Sequence, residues 1–583
     1  MRGLLHATVS EMRIRNLDSV VPFLIALSLL NYGRILAFRD VYWDNNLWLY
    51  AIRLSENIHE FLAMGFTQLR REPLSVFLYL FFMPHVLGDT AFLIWHSISI
   101  GLQVATPLVL YYLIVNLCNG RRDIAVFVAI SLIVLPLDQT LPFLSAINYR
   151  LGLLLGLISL YLTVRAAAEE RIDRMKIAGA LLLAVFAEYV LIEAIVALEP
   201  ARMLVLWIVR YRPQRLRAEV IKEVALTSAP FVLLALPLIA YKMLVKPYGV
   251  YAGMYPTGFV NLADWTAVRE MVGLFMIGNW RMLLGYAAHG SWITPMLGAM
   301  AGAIVLFMMV RALPTDRSGK TSHAANSRKS TSKSVSDVAW ALPLLGFAIL
   351  VPQAIFFGYA ALLPKVGGGT THAIFMQPGY AMIVGSGAFW LIRKCLAAAP
   401  VRPALANTLF ATFVMVGTYF NNLNLDVYTA ASARENAFWQ AFTRRFPALP
   451  ESADFLIDAV PLPYARNTST FFLAEDIFNP YDFERRLNDI YLSEEKPRNN
   501  RRYHVISGLR VAQYIRANGR QTLSRDIQAN THMGLARIHP GDLIVVHYRN
   551  GELLVNREIV ERYPTIEYRP WADKPPPELA ARK

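Results

Sequence analysis

The sequence predicts a polytopic α-helical membrane protein of about 11 to 13 helices, followed by a soluble α/β domain. Three observations predict it. Of 583 residues, 55% are hydrophobic and only 17% are charged, and the mean hydropathy is +0.37, too apolar for a soluble chain of this size. Apolar runs long enough to cross a bilayer recur along the first 420 residues, separated by short basic clusters. Beyond residue 420 the composition becomes mixed, with short β-like runs.

The net charge of +15 reads as topology rather than as nucleic-acid binding, because the basic residues sit mainly between apolar runs. The first run, 19–38, follows Arg2, Arg13 and Arg15 and no small-residue cleavage site comes after it, so an uncleaved span is expected. Further spans are expected at 90–117, 124–143, 147–165, 177–194, 197–210, 224–245, 292–311, 338–361, 379–393 and 403–420. Basic clusters at Arg121 and Arg122, at Arg165 to Lys176, at Arg210 to Arg217 and at Arg393 and Lys394 then fall on one side. That side is the cytoplasm, with the N-terminus inside and the C-terminal domain outside. The apolar segments 73–87 and 269–287 do not fit as crossings and are expected to lie partly in the interface. The expected location is a bacterial inner (plasma) membrane.

The Ser/Lys/Arg-rich segment within 311–337 is expected to be a disordered cytoplasmic loop. Residues 421–583 are expected to form the extracytoplasmic domain, entered through a linking helix at "ASARENAFWQAFTRRFPALP" and containing strands at "YHVISGL" and "DLIVVHY". Cys118 and Cys395 both lie at run ends beside basic residues and imply no disulfide framework. No internal repeat is present, which argues against an inverted-repeat transporter.

Candidate chemistry begins in the longest outer loop, 39–90. In "FRDVYWDNNLWLY", Asp40 and Asp44 stand among aromatic residues just after the first span. Leu47, Ala51, Leu54, Ile58, Phe61 and Gly65 make one helical stripe, with Arg53, Glu56 and Glu60 elsewhere, as in an interfacial helix. Asp44 would begin that helix, and its plainer role is a cap; Asp40 would pair with Arg39 or stay solvated. Ionisable residues also occur at the outer ends of spans: Asp138, Arg150, Glu188, Glu193, Arg281, His289 and His372. Such groups usually face a bundle interior or a watery cavity, and together they suggest a polar cavity opening outward. Each taken alone is equally explained as half of a buried structural pair.

"YWDNNLWLYAIRLSENI", "GFTQLRREPLSVFLYLFF" and "LLLAVFAEYVLIEAIVALEPARMLVLW" resemble the acidic opening loop, the Pro-led interfacial segment and the later acid-then-Pro span of the GT-C superfamily of membrane glycosyltransferases. Protein O-mannosyltransferases and lipid A aminoarabinose transferases are members. The resemblance implies transfer of a sugar from a polyprenyl-phosphate donor to an extracytoplasmic glycan, lipid or protein acceptor. It makes Asp44 the catalytic base, with Asn45 standing where a second acid is common and Asp40 as the competing position. The base would take the acceptor's proton while a cation steadies the leaving lipid phosphate.

Asp138 would support the acceptor or a metal. The cation candidates are Arg70 and Arg71, followed by Glu72, together with Lys365, Arg150 and Arg281. Arg70 and Arg71 serve equally well as an anchor for anionic lipid. Glu188 and His372 complete the candidate substrate contacts. The glycines of "PKVGGGTTH" would let a loop or its amides approach a phosphate, although a plain turn is the simpler reading. A divalent metal held by Asp44, Asp138 and a histidine is chemically open, but no spacing is diagnostic, and His59 or His85 reads more simply as a hydrogen-bonded side chain. Membrane lipid is an expected partner and nucleic acid is not. Two other classes compete: a transporter or flippase of polysaccharide precursors, which predicts mid-span ionisable groups and discontinuous helices, and a non-catalytic partner in cell-envelope assembly.

Overall fold

A computed structural model describes residues 20–38, 57–63, 90–143, 146–211, 216–244, 290–312, 341–357, 373–398 and 402–449. It also describes the strands of the C-terminal unit at 454–459, 504–507, 527–531, 534–538, 543–549 and 552–555. Isolated positions at 74, 76, 77, 79, 80, 280, 284, 287, 486, 487, 490 and 491 complete the set. The chain divides into two compact units. The first comprises Met1–Phe38, Asp89–Pro247 and Gly253–Asp426; the second comprises Arg39–Gly88, Tyr248–Ala252 and Val427–Lys583.

The first unit holds helices and no strand among the described residues. Among the described residues, five helices are long and apolar enough to cross a membrane: Val20–Ala37 (α1), Phe92–Leu117, Ile147–Ala167, Arg217–Tyr241 and Ile293–Val310. The second of these belongs to Thr90–Leu117 (α3), reached after a short helix Ile58–Ala63 (α2) that lies in the other unit. A turn at Asn119–Gly120, both at positive φ, leads into Arg122–Val134 (α4).

Here the structure departs from the predicted span 124–143. α4 has 13 residues, about 20 Å at 1.5 Å per residue, short of the roughly 30 Å hydrocarbon core. Pro136 and Pro142 explain the stop, since each lacks the N–H that would continue the helix. The residues that follow, Leu135 to Phe143, are buried although not helical. Carbonyls at the end of α4 and in this segment find partners on other helices. Ile133 O accepts from Tyr32 Oη at 2.5 Å and from Asn421 Nδ2 at 3.2 Å, and Gln139 O accepts from Asn424 Nδ2 at 3.2 Å.

The second departure is in 177–210. Two separate spans were expected; the chain instead forms a tight hairpin with irregular legs. After Ile147–Ala167 (α5), Arg174–Val185 (α6) passes into a π turn at Phe186–Leu191. Ile192 is extended, a 3-10 turn covers Glu193–Leu198, and Glu199–Arg210 (α7) runs back. Asp173 caps the first leg, accepting from Met175 N and Lys176 N. The second leg ends beside the first, because Arg210 Nη1 donates to Ala167 O at 3.1 Å and Glu169 O at 2.8 Å. The end of α7 and the start of α6 therefore lie together at one end of the hairpin. Gly152 and Gly156 of α5 permit the close packing, since a Cβ at either would lie 2.9 Å from Ile192 or Leu198. Arg217–Leu244 (α8), Ile293–Ala312 (α9), Ala341–Phe357 (α10) and Gln377–Ala398 (α11) complete the bundle with the start of Arg402–Arg445 (α12). The predicted loop 311–337 lies outside the described residues beyond Ala312.

α12 corrects a third expectation. The predicted last span and the predicted linking helix are one 44-residue helix, about 66 Å long, which stops at Arg445 before Pro447. Its residues after Asp426 belong to the second unit. Phe438, Trp439, Phe442 and Phe446 pack there with Phe455, Ile544 and Val546 in one buried core. The four-stranded sheet has the order β2-β1-β5-β6, from Asp454–Ala459 (β1), His504–Ser507 (β2), Leu543–Arg549 (β5) and Glu552–Val555 (β6). β1 pairs in parallel with β2 and β5, and β6 returns antiparallel; Ile527–Thr531 (β3) and Gly534–Ile538 (β4) form a separate antiparallel pair. The two runs read as strands in the sequence are thus β2 and β5. In α2, Phe61 is fully buried against Tyr79, ring centroids 5.1 Å apart, while His59 is exposed.

Within the first unit, Asp426 joins three segments. Its carboxylate accepts from Arg34 Nη2 at 2.6 Å, Thr294 Oγ1 at 2.6 Å and Ser291 N at 2.7 Å. It sits beyond the predicted span 403–420 and completes the N-terminus of α9 from outside that helix. Burial alone would raise its pKa, but the bonds from Arg34, Thr294 and Ser291 outweigh burial and hold it below the ordinary carboxylate value. A lowered folded-state pKa adds stability that is complete above the ordinary carboxylate range, and that is lost as pH falls through the lowered value. Acid melts of the detergent-solubilised protein should show this loss, and Asp426→Asn should lower the melting temperature at neutral pH while flattening the acid-side decline.

Candidate functional site

The buried segment after α4 is where the structure assembles polar side chains. Asp138 and Arg150 were both predicted site residues, and they form an ion pair with Arg150 Nε 2.9 Å from Asp138 Oδ2. Both side chains are almost fully buried, 3% and 1% exposed. The local sequence explains the geometry. Asp138 follows the end of α4 and turns its Oδ1 onto its own chain, accepting from Thr140 N at 2.9 Å and Thr140 Oγ1 at 2.6 Å, in the manner of an Asx turn. Arg150 lies in the first turn of α5 and reaches back across the loop.

Gln103, in the middle of α3, donates to Asp138 Oδ2 at 2.8 Å. Arg150 Nη2 reaches Asp138 Oδ1 at 3.3 Å and Thr140 Oγ1 at 3.1 Å. Asp138 thus accepts five hydrogen bonds, and both its oxygens are committed. Its place is that of an anchor that orients the guanidinium, as a proton acceptor needs a free lone pair. One donor of the cluster is left over. Arg150 Nη1 is buried and has no hydrogen-bond partner among the described residues. A small cavity lies beside it, lined by Gln103, Thr106, Leu132, Ile133, Arg150 and Gln377. A fixed guanidinium arm at the edge of this small cavity, whose wall also includes Pro107, Leu153 and Ile374, offers two N–H groups to an acceptor oxygen, whether phosphoryl, carbonyl or hydroxyl.

Glu188 takes a different place. It lies in the π turn of the hairpin, 2% exposed, and its charged neighbours are Glu199 and Arg202. Those two engage each other, Arg202 Nε to Glu199 Oε2 at 2.7 Å and Nη2 to Oε1 at 2.9 Å, while Arg202 Nη1 donates to Thr163 Oγ1 at 2.6 Å. The Arg202 guanidinium also covers the Phe231 ring, 3.9 Å from its centroid. The candidates Asp44, Asp40, Arg70, Arg71, Glu72, Arg281, Lys365 and His372 lie outside the described residues, as do His289, His85 and the glycines at 367–369. No group of three His, Cys, Asp or Glu residues suited to a metal occurs among the described residues.

Reading the sequence did not single out Gln103, Thr140, Arg202 or the Arg34–Asp426 pair. The available signal was a polar residue inside an apolar run: Gln103 in "IGLQVATPL", or Asn421 to Asp426 in "NNLNLD". Such a residue is costly in lipid and predicts a partner, but the partner's identity depends on which helices meet. Comparison with models of known protein families, with curated proteins and with solved structures finds no match to this chain.

Breaking one half of the buried pair strands the other half. Arg150→Met or Asp138→Leu alone should destabilise the protein by about 3–5 kcal/mol, and the double substitution should recover most of that loss. Urea or thermal unfolding in detergent micelles measures the cycle; additive losses in the double variant would show that the two residues do not share one interaction.

Proposed function

We propose that this chain is an integral membrane glycosyltransferase that moves a sugar from a polyprenyl-phosphate donor to an extracytoplasmic glycan, lipid or protein. The observation that carries the proposal is the buried Arg150, aligned by Asp138, whose Nη1 has no hydrogen-bond partner among the described residues and lies beside a small cavity in the helical unit. A lipid-phosphate donor needs such a cation where its leaving phosphate develops charge, held in place before the reaction begins. In this reading Arg150 steadies the phosphate, Asp138 and Gln103 fix the guanidinium, and Gln377 and Thr106 line the cavity without adding charge. The acceptor proton goes to a carboxylate of the first outer loop, Asp44, with Asp40 as the alternative; this part rests on the sequence resemblance. The basic clusters then face the cytoplasm and the α/β domain lies outside. No metal enters the scheme.

Transport or flipping of a polysaccharide precursor is a second reading, favoured by the interrupted hairpin at 186–198 with Glu188 in its break. Discontinuous helices with mid-span ionisable groups are common at transporter binding sites. The two readings separate in one assay. Purified protein in liposomes is given polyprenyl-phosphate sugars, and release of the lipid phosphate is followed alongside movement of labelled donor across the bilayer.

The transferase reading expects donor consumption by the wild-type protein. Asp44→Asn should reduce turnover by about 10²–10⁴-fold while Asp40→Asn retains it. Arg150→Lys, which keeps the charge but removes the forked donor, should reduce it by about 10²-fold. Movement of donor with no consumption would establish the transport reading, and neither activity would leave a partner in envelope assembly.

A further inference from the structure

α5 and α11 both begin at the wall of the cavity beside Arg150. The first two turns of α5 supply Arg150 and Leu153, while the turn leading into α11 supplies Ile374 and the first residue of that helix is Gln377. The Tyr149 and Phe375 rings, with centroids 5.7 Å apart, join the two helix starts. Each start carries N–H groups with no partner inside its helix and about half a positive charge. Neither helix answers this from its own first turn: no side chain caps α5 at Ala146, and neither first turn contains an acid.

The buried guanidinium is the second sign of a ligand at this wall. Arg150 is 2% exposed, lines the cavity, and its Nη1 has no hydrogen-bond partner among the described residues. Two of the other polar side chains on the wall have spent a donor elsewhere. Gln103 gives Nε2 to Asp138, and Thr106 gives its hydroxyl to Leu102 O at 2.8 Å. Gln377, 4% exposed, is the third.

Charge and size then select the ligand. Asp138 offsets Arg150, so the excess at the wall is that of the two helix starts, together about one positive unit. No carboxylate lines the cavity among the described residues. A phosphodiester carries a single negative charge and offers several acceptor oxygens to N–H donors that come from different elements. The cavity is about 10 Å³, room for a phosphoryl oxygen rather than for a sugar ring. The remainder of its wall is apolar, which suits the head group of a lipid better than a fully hydrated free anion.

We propose that the starts of α5 and α11, with Arg150 Nη1 and the Gln377 amide, seat a phosphoryl oxygen of a lipid-borne phosphodiester, and that Gln377 is its positioning residue. The identity of the lipid rests on the transferase reading.

The test uses the full chain in detergent micelles, with polyprenyl phosphate lacking a sugar, the uncharged polyprenol of equal chain length, and inorganic phosphate as probes. Melting temperature and native mass spectrometry report binding. Polyprenyl phosphate should raise the wild-type melting temperature by a few degrees and polyprenol should not, a comparison that needs no variant to fold. Gln377→Glu places an acid where a helix start favours one, so it should melt as the wild type does without lipid. Its carboxylate should nevertheless weaken polyprenyl phosphate binding by about tenfold or more, through like-charge repulsion. Equal response to polyprenol, undiminished binding by Gln377→Glu, or a full response to inorganic phosphate alone would overturn the assignment. The seat and the transfer fail separately. Gln377-dependent binding without consumption of a sugar donor keeps the seat and removes the transfer, whereas donor consumption indifferent to Gln377→Glu keeps the transfer and removes the seat.

Discussion

Inside a bilayer every backbone N–H and C=O must find a partner within the protein, and this one requirement organises the helical unit. Regular helices meet it by themselves. Two described places where the chain leaves the regular helix, after Val134 and from Phe186 to Leu198, meet it with side chains borrowed from elsewhere. Tyr32, Asn421 and Asn424 serve the carbonyls at the end of α4 and in the loop beyond it. Asn148 and Gln353 serve the hairpin break. These contacts join α1, α5, α10 and α12 to irregular backbone, so the breaks are held by the whole bundle rather than by local sequence.

The same economy governs charge. Five of the charged side chains deep in the helical unit sit at or beside a break or helix end. Asp138 and Arg150 occupy the loop after α4, Glu199 and Arg202 open α7, and Arg210 closes α7 by donating to carbonyls near the end of α5. A helix end offers unpaired N–H or C=O groups and hence a partial charge that a side chain can complement. Interruptions are therefore the least costly sites for buried charge, and they are where chemistry is expected.

The second unit is stabilised differently. Its described core is aromatic, with Phe438, Phe442 and Phe446 from one face of α12 laid against Phe455 of β1 and Ile544 and Val546 of β5. The spacing of four along the helix brings these rings onto one stripe, and the alternation along β5 brings its residues to the same face. Burial of apolar area drives this packing, as in a water-soluble domain, whereas the helical unit relies on close backbone approach and satisfied polar groups.

Composition and periodicity by themselves determined the class of the protein: apolar runs of membrane length, the strands β2 and β5, and the stop of α12 before Pro447 follow from hydropathy, alternation and proline chemistry. The acids at Asp138 and Glu188 and the cation at Arg150 were legible as anomalies, because a charge in an apolar run is costly wherever it lies. Only the tertiary structure decided their partners. The pairing of Asp138 with Arg150 and Gln103, the closed Glu199–Arg202 pair that isolates Glu188, and the fusion of span and linker into one helix depend on which helix faces meet in space. Hydropathy averages over a run and carries no record of its neighbours, so the length of α4 and the irregular turn at Ile192 had no signature stronger than a proline or a glutamate, and contacts between distant segments gave them their form.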